Sequence, residues 1–160
     1  MLPNFENIFP DFSLNSKVWI YLSNRKFDST ESDYIQTILN QFTQNDWKTH
    51  GKALRASGQL LFNQLIVLIV DEDVNNASGC SIDSSVHMIK KLGSELNVDF
   101  FNRLYLLVLR DDQIRYVHIN DLKNYKEWKL VNPMMSNLSE LRNQFILDVE
   151  KSVLFENNVS

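Results

Sequence analysis

The sequence predicts an α/β domain, a mixed sheet of about five strands covered by helices, with an α+β arrangement as the alternative. Two features carry this. Segments of alternating or continuous apolar residues at 17–23, 60–71 and 103–110 are separated by stretches whose apolar residues recur at helical spacing. The resulting order is β-α-β-β-α-β-β-α, and any parallel β-α-β unit within it should be right-handed. A third feature bounds the size. The 160 residues are 44% hydrophobic and 11% aromatic, enough for one core, so residues 1–160 are expected to form a single domain.

Residues 1–16 read as an irregular arm. It contains Pro3 and Pro10 but also Leu2, Phe5, Ile8, Phe9, Phe12 and Leu14, apolar surface that needs covering. Packing on the chain's own core is the first reading, and clasping a second copy or a protein partner is the alternative. In Lys17–Ser23, Val18, Ile20 and Leu22 alternate with Trp19 and Tyr21, which predicts a strand. Asp28 and Glu31 make a capping box for a helix with the stripe Tyr34, Ile35, Ile38, Leu39 and Phe42. Residues 49–57 and 60–71 predict a hairpin turning at Ser57-Gly58, and Leu65–Val70, apolar on both faces, predicts a central strand.

After a loop from Asp71 to Gly79, a second helix is expected to bury Ile82, Val86, Ile89 and Leu96, with Gly93 on the same face. Residues 103–110 and 113–119 predict a hairpin around Asp111-Asp112. A short helix is expected at 120–127. A last one, capped by Ser136 or Asn137, should bury Leu138, Leu141, Phe145, Val149 and Val153.

Composition narrows the function. A net charge of −4 with scattered Lys and Arg argues against a nucleic-acid surface. The longest apolar run, Leu65–Val70, is far shorter than the roughly 20 residues of a membrane helix. No basic residue precedes Lys17, which does not fit a secretory leader, and a single cysteine excludes an internal disulfide. A cytoplasmic setting follows as the expectation. A P-loop is excluded, because Gly51-Lys52 precedes Ala53 and glycines 58, 79 and 93 have the wrong spacing. No cofactor motif and no metal-ligand cluster is present. The calcium-like Asp71-Glu72-Asp73-Val74-Asn75 lacks the required glycine at its sixth position (Asn76) and glutamate at its twelfth (Ile82).

One segment invites chemistry. Ser78 to Ser85 opens the second helix directly after the central strand, where free amides and the helix dipole favour anions. Ser78, Gly79, Ser81 and Ser84 are the candidate anion-binding residues; Cys80, Ser81 and Asp71 are the candidate catalytic ones. A thiol at a helix start has its thiolate stabilised if partly exposed, whereas a buried one is inert. Three observations weigh against a catalytic role. Asp83 would fill part of the positive potential, Ser81 is also an ordinary cap, and a lone cysteine is commonly a small hydrophobe. Cysteine catalysis also needs an imidazole, from His50, His87 or His118. His87 lies two helical turns from Cys80, too far for contact on one helix. The phosphatase-type arginine six residues on is replaced by Val86.

The segments Trp47–Gly51 (WKTHG), Asp71-Glu72, Ser78–Val86 (SGCSIDSSV) and Asp99–Arg103 (DFFNR) resemble a family of small uncharacterised Bacteroidetes proteins, over nearly the whole chain. An ABC-transporter ATPase label sometimes attached to such proteins is not carried over, because the phosphate loop is missing. The resemblance implies no catalytic residue. The expectation from the sequence is a cytosolic binding or interaction domain. The alternative is a small enzyme or anion-binding protein with its site at Ser78–Ser85. Trp19, Trp47 and Trp128 are expected in the core, or else on an interaction face.

Overall fold

The computed structural model describes residues 5–158. Helices and strands are mixed, and every strand pair is antiparallel. In place of one mixed sheet of five strands, the described residues form three sheets. Strands β1 (Lys17–Leu22), β4 (Ala56–Leu61) and β5 (Leu65–Val70) form one, in the order β1-β5-β4. The short β2 (Lys48–Thr49) and β3 (Lys52–Ala53) pair with each other. Strands β6 (Tyr105–Arg110), β7 (Gln113–His118), β8 (Lys129–Val131) and β9 (Ile146–Asp148) form the third, in the order β7-β6-β8-β9.

Two strands too apolar for a solvated face explain this layering. Every residue of β5 is buried. Its Val67 and Ile69 share a core with Leu107 and Leu109 of β6, so the two larger sheets bury their inner faces together. Ile66, Leu68 and Val70 point the other way, into a second core under α1 (Ser29–Gln41) and α2 (Gly79–Leu96). Leu106 and Val108 of β6 join a third core with Leu122, Trp128 and Val149.

The expected capping box of Asp28 and Glu31 starts α1, which buries Ile35 and Leu39 and runs into a π turn over Phe42–Asp46. Gln36 of α1 also guards the outer edge of β4. Its Nε2 donates to the Gly58 carbonyl (2.9 Å), and its Oε1 accepts from Leu60 N–H (3.1 Å). An otherwise open strand edge is thereby closed. Ser57 and Gly58 lie inside β4, not in a turn. A Cβ on Gly58 would crowd the Leu68 side chain of the neighbouring β5 at 3.0 Å and touch Leu39 of α1 at 3.4 Å. The chain reverses instead over residues 62–64, where Phe62 and Asn63 take positive φ.

The arm folds back on its own molecule. Phe5, Ile8 and Phe9 are buried in the inter-sheet core, and Phe5 stacks on Phe145 at 3.9 Å. Arg142 donates to the carbonyls of Ile8 and Phe9. Leu14 is exposed, and Leu2 lies outside the described residues. The last long helix is also corrected. α3 (Leu138–Asn143) stops after 6 residues because buried Asn132 clamps the chain beyond it in extended form. Asn132 N–H donates to the Phe145 carbonyl (2.8 Å) and its side-chain amide to Gln144 (3.0 Å), which aligns β9 on β8. Val153 then begins a separate α4 (Val153–Asn158) and is exposed. The expected helix at 120–127 is a 3-10 turn over Ile119–Asn124. Among the described residues no helix is long and apolar enough to cross a membrane.

Candidate functional site

The start of α2 faces the β2–β3 hairpin, and one tryptophan fixes their separation. Trp47 is 1% exposed, and its indole Nε1 donates to the Ser81 carbonyl at 2.7 Å. That bond explains why the buried face of α2 is rotated from the expected one. Ser81 and Ser85 are buried in the first turns, with Ile89, Leu92 and Gly93 further on, while Ile82, Val86 and Leu96 are only partly covered. Small serines let the helix start approach the indole. Gly93 serves the other end: a Cβ there would lie 2.8 Å from the Val98 carbonyl, where the chain turns back at Asn97.

Between the hairpin and α2 lies a cleft of about 360 Å³. The hairpin contributes Thr49, His50 and Lys52, and the chain leading into α2 contributes Asn75, Asn76, Ala77 and Ser78. His50 and Gly51 form the tight turn, both at positive φ (49° and 77°), a pairing typical of two-residue hairpin loops. This conformation sets Thr49 on one strand opposite Lys52 on the other. Thr49 is 5% exposed, and its hydroxyl has no hydrogen-bond partner. Leaving a buried hydroxyl unpaired costs about 1–3 kcal/mol, and among the described residues Thr49 shares this state with Tyr116, which does not line the cleft.

The expected site residues are distributed as follows. Ser78 is the N-cap of α2 and lines the cleft. Its Oγ accepts from Ser81 N–H (3.2 Å), while Ser81 Oγ accepts from Ser78 N–H (2.6 Å), a reciprocal cap between two serines. Ser81 is buried and committed to that cap. Gly79, Cys80 and Ser84 are exposed and are not among the lining residues. Asp83 is exposed too, and no acidic side chain stands in the first turn of α2.

Asp71 is buried and occupied with structure. Its Oδ1 accepts from Asp73 N–H (3.0 Å) and the Ser13 hydroxyl (3.2 Å), and Oδ2 lies 3.7 Å from Arg55. Arg55 in turn donates to the Asp11 carbonyl and stacks over Phe12, so this knot ties the arm to the end of β5. Glu72 is held by Lys17 (3.0 Å) and accepts from Ala77 N–H (2.9 Å).

The histidines are dispersed. His50 lines the cleft, His87 is exposed along α2, and His118 caps the 3-10 turn by accepting from Asn120 N–H at 3.0 Å. Among the described residues, no group of three or more His, Cys, Asp or Glu could hold a metal ion. Trp47 and Trp128 are buried, and Trp19 packs partly buried against Trp47. Arg110 and Arg115 cover Trp128, with guanidinium carbons 4.7 and 5.1 Å from its ring. Trp47 and Trp128 therefore build cores, and Trp19 lies partly buried at the edge of one.

Sequence reasoning missed Thr49, Lys52 and the Asn75–Ala77 wall. The Thr49-His50-Gly51 tripeptide carried a turn signal, but nothing in it marked the helix that the turn would face. No protein-family model, curated protein or solved structure matches the chain.

Proposed function

We propose that this chain is a binding domain whose small polar ligand occupies the cleft between the β2–β3 hairpin and the start of α2. The buried, unpartnered hydroxyl of Thr49 supports this reading most directly, since a ligand atom there would complete its hydrogen bonding. A cleft of about 360 Å³ also lies at the lower end of small-molecule sites, which run from about 300 to 1,000 Å³. The enzyme alternative would need Cys80, Ser81 and Asp71 to converge on a substrate. Ser81 serves a cap and Asp71 a tether, which favours binding over catalysis.

A wider cleft of about 550 Å³ at the far end of α2 offers less. Its Asn24 and Asp99 are already paired with backbone N–H groups of the fold. The single cysteine keeps a reducing, cytoplasmic compartment as the proposed setting. The resemblance to the Bacteroidetes proteins belongs to the same proposal and adds no site residue.

Ligand-observed NMR with a library of small polar fragments tests the proposal. Filling the cleft with Ala77→Phe should abolish the hits found with the natural chain. Hits that persist in Ala77→Phe would place binding elsewhere and overturn the reading.

A further inference from the structure

Resting on that reading, we infer that the cleft recognises the phosphate group of a small phosphomonoester. Four observations converge on an oxyanion. First, one wall is the N-terminus of an 18-residue helix, long enough for its dipole to matter. The cleft takes from this helix its N-cap, Ser78, whose reciprocal cap with Ser81 satisfies Ser81 N–H, while Gly79 and Cys80 lie outside the lining.

The second observation is independent of the helix. Thr49 is 5% exposed, lines the cleft and has an unpaired hydroxyl, a group able to donate to a phosphate oxygen. Third, the lining includes the basic residues His50 and Lys52 and no carboxylate. Of the acids just before the Asn75–Ser78 wall, Glu72 is turned to Lys17 and Ala77 N–H, and Asp73 is exposed outside the lining. Fourth, a cleft of about 360 Å³ exceeds what an inorganic oxyanion fills. Asn75 and Asn76 also line the cleft, and the room beyond a phosphate suits the organic part of an ester; the Asn75 side-chain amide donates to the Ala53 carbonyl at 3.1 Å.

Lys52 contributes a point charge on a flexible stem, and Thr49 a buried hydroxyl donor at the end of β2. Their roles should separate on substitution. Lys52 is exposed, so Lys52→Ala leaves the fold alone; Thr49→Val keeps the shape and deletes the hydroxyl.

Calorimetric titration with phenyl phosphate, inorganic phosphate and phenol provides the test. Phenyl phosphate should bind, inorganic phosphate more weakly, and phenol not at all. Lys52→Ala, with unchanged melting temperature, and Thr49→Val, with a melting temperature equal or higher, should each weaken phenyl phosphate by at least about tenfold, and added salt should weaken it further. Binding of inorganic phosphate alone would overturn the ester while keeping an oxyanion site. Failure of both phosphates, or binding indifferent to both substitutions, would overturn the inference. If neutral fragments still bind and are displaced by Ala77→Phe, the cleft remains a binding site with a different ligand class. Binding that survives Ala77→Phe removes both.

Discussion

Replacing Trp47 with phenylalanine removes the one side-chain bond that joins the β2–β3 approach to the first turn of α2. The indole N–H lies 2.7 Å from the Ser81 carbonyl, and the ring is 5.2 Å from Phe42 and 5.8 Å from Trp19. A hydrogen bond of this kind contributes about 1 kcal/mol net, and the smaller ring leaves a void costing about 1–2 kcal/mol more. The sum, about 2–3 kcal/mol, corresponds to a fall in melting temperature of about 5–10 °C for a chain of this size. Thermal unfolding measures the first quantity. Hydrogen exchange at the amides of residues 82–85 measures whether the start of α2 loosens. A loss below about 1 kcal/mol, or unchanged protection at 82–85, would refute the view that Trp47 holds the two walls of the cleft in register.

Three further outcomes follow from the packing and the charges. Gln36→Ala deletes both bonds to the β4 edge, so denaturant unfolding should show a loss of about 1–2 kcal/mol, with self-association visible in light scattering as the edge opens. An unchanged midpoint would mean that water replaces the amide at no cost. Phe5→Ala should destabilise by about 3 kcal/mol, because the ring stacks on Phe145 inside the inter-sheet core; equal stability would make the arm a passive tail.

Acid stability gives the third outcome. The Arg25 guanidinium forks onto Glu31 at 3.0 and 2.7 Å and, with the Asp28 N–H, holds its carboxyl down at about 2. The folded value lies below the ordinary one of about 4.3, so the contribution is complete above that pH and is lost as pH falls toward about 2. Glu31→Gln should flatten the stability profile in this window, modestly because the pair is exposed. A profile as steep as that of the natural chain would assign acid unfolding to other groups.

Local signals survived folding well. The Asp28–Glu31 box, the two-faced burial of Leu65–Val70 and the Asp111 turn were legible because each depends on a few neighbouring residues. Tertiary contacts overrode the rest. Leu138, Leu141, Phe145 and Val149 have helical spacing and are all buried, yet Asn132 bends the last two out of the helix. Ser57-Gly58 reads as a turn, but the glycine answers to the Leu68 side chain packed beside it in β5. At the site, the helix start was legible from its serine cap and preceding strand. The hairpin opposite was not, since no local pattern reports that Trp47 will reach Ser81 across 34 residues of chain.

Backbone chemical-shift mapping on ¹⁵N-labelled protein titrated with phenyl phosphate addresses the binding site itself. The largest changes should fall on the amides of Thr49, Lys52 and residues 76–80, with the far end of α2 silent. Changes centred on Asn24 and residues 97–101, or none at all, would contradict the assignment of the cleft beside the α2 start as the place where this chain binds its ligand.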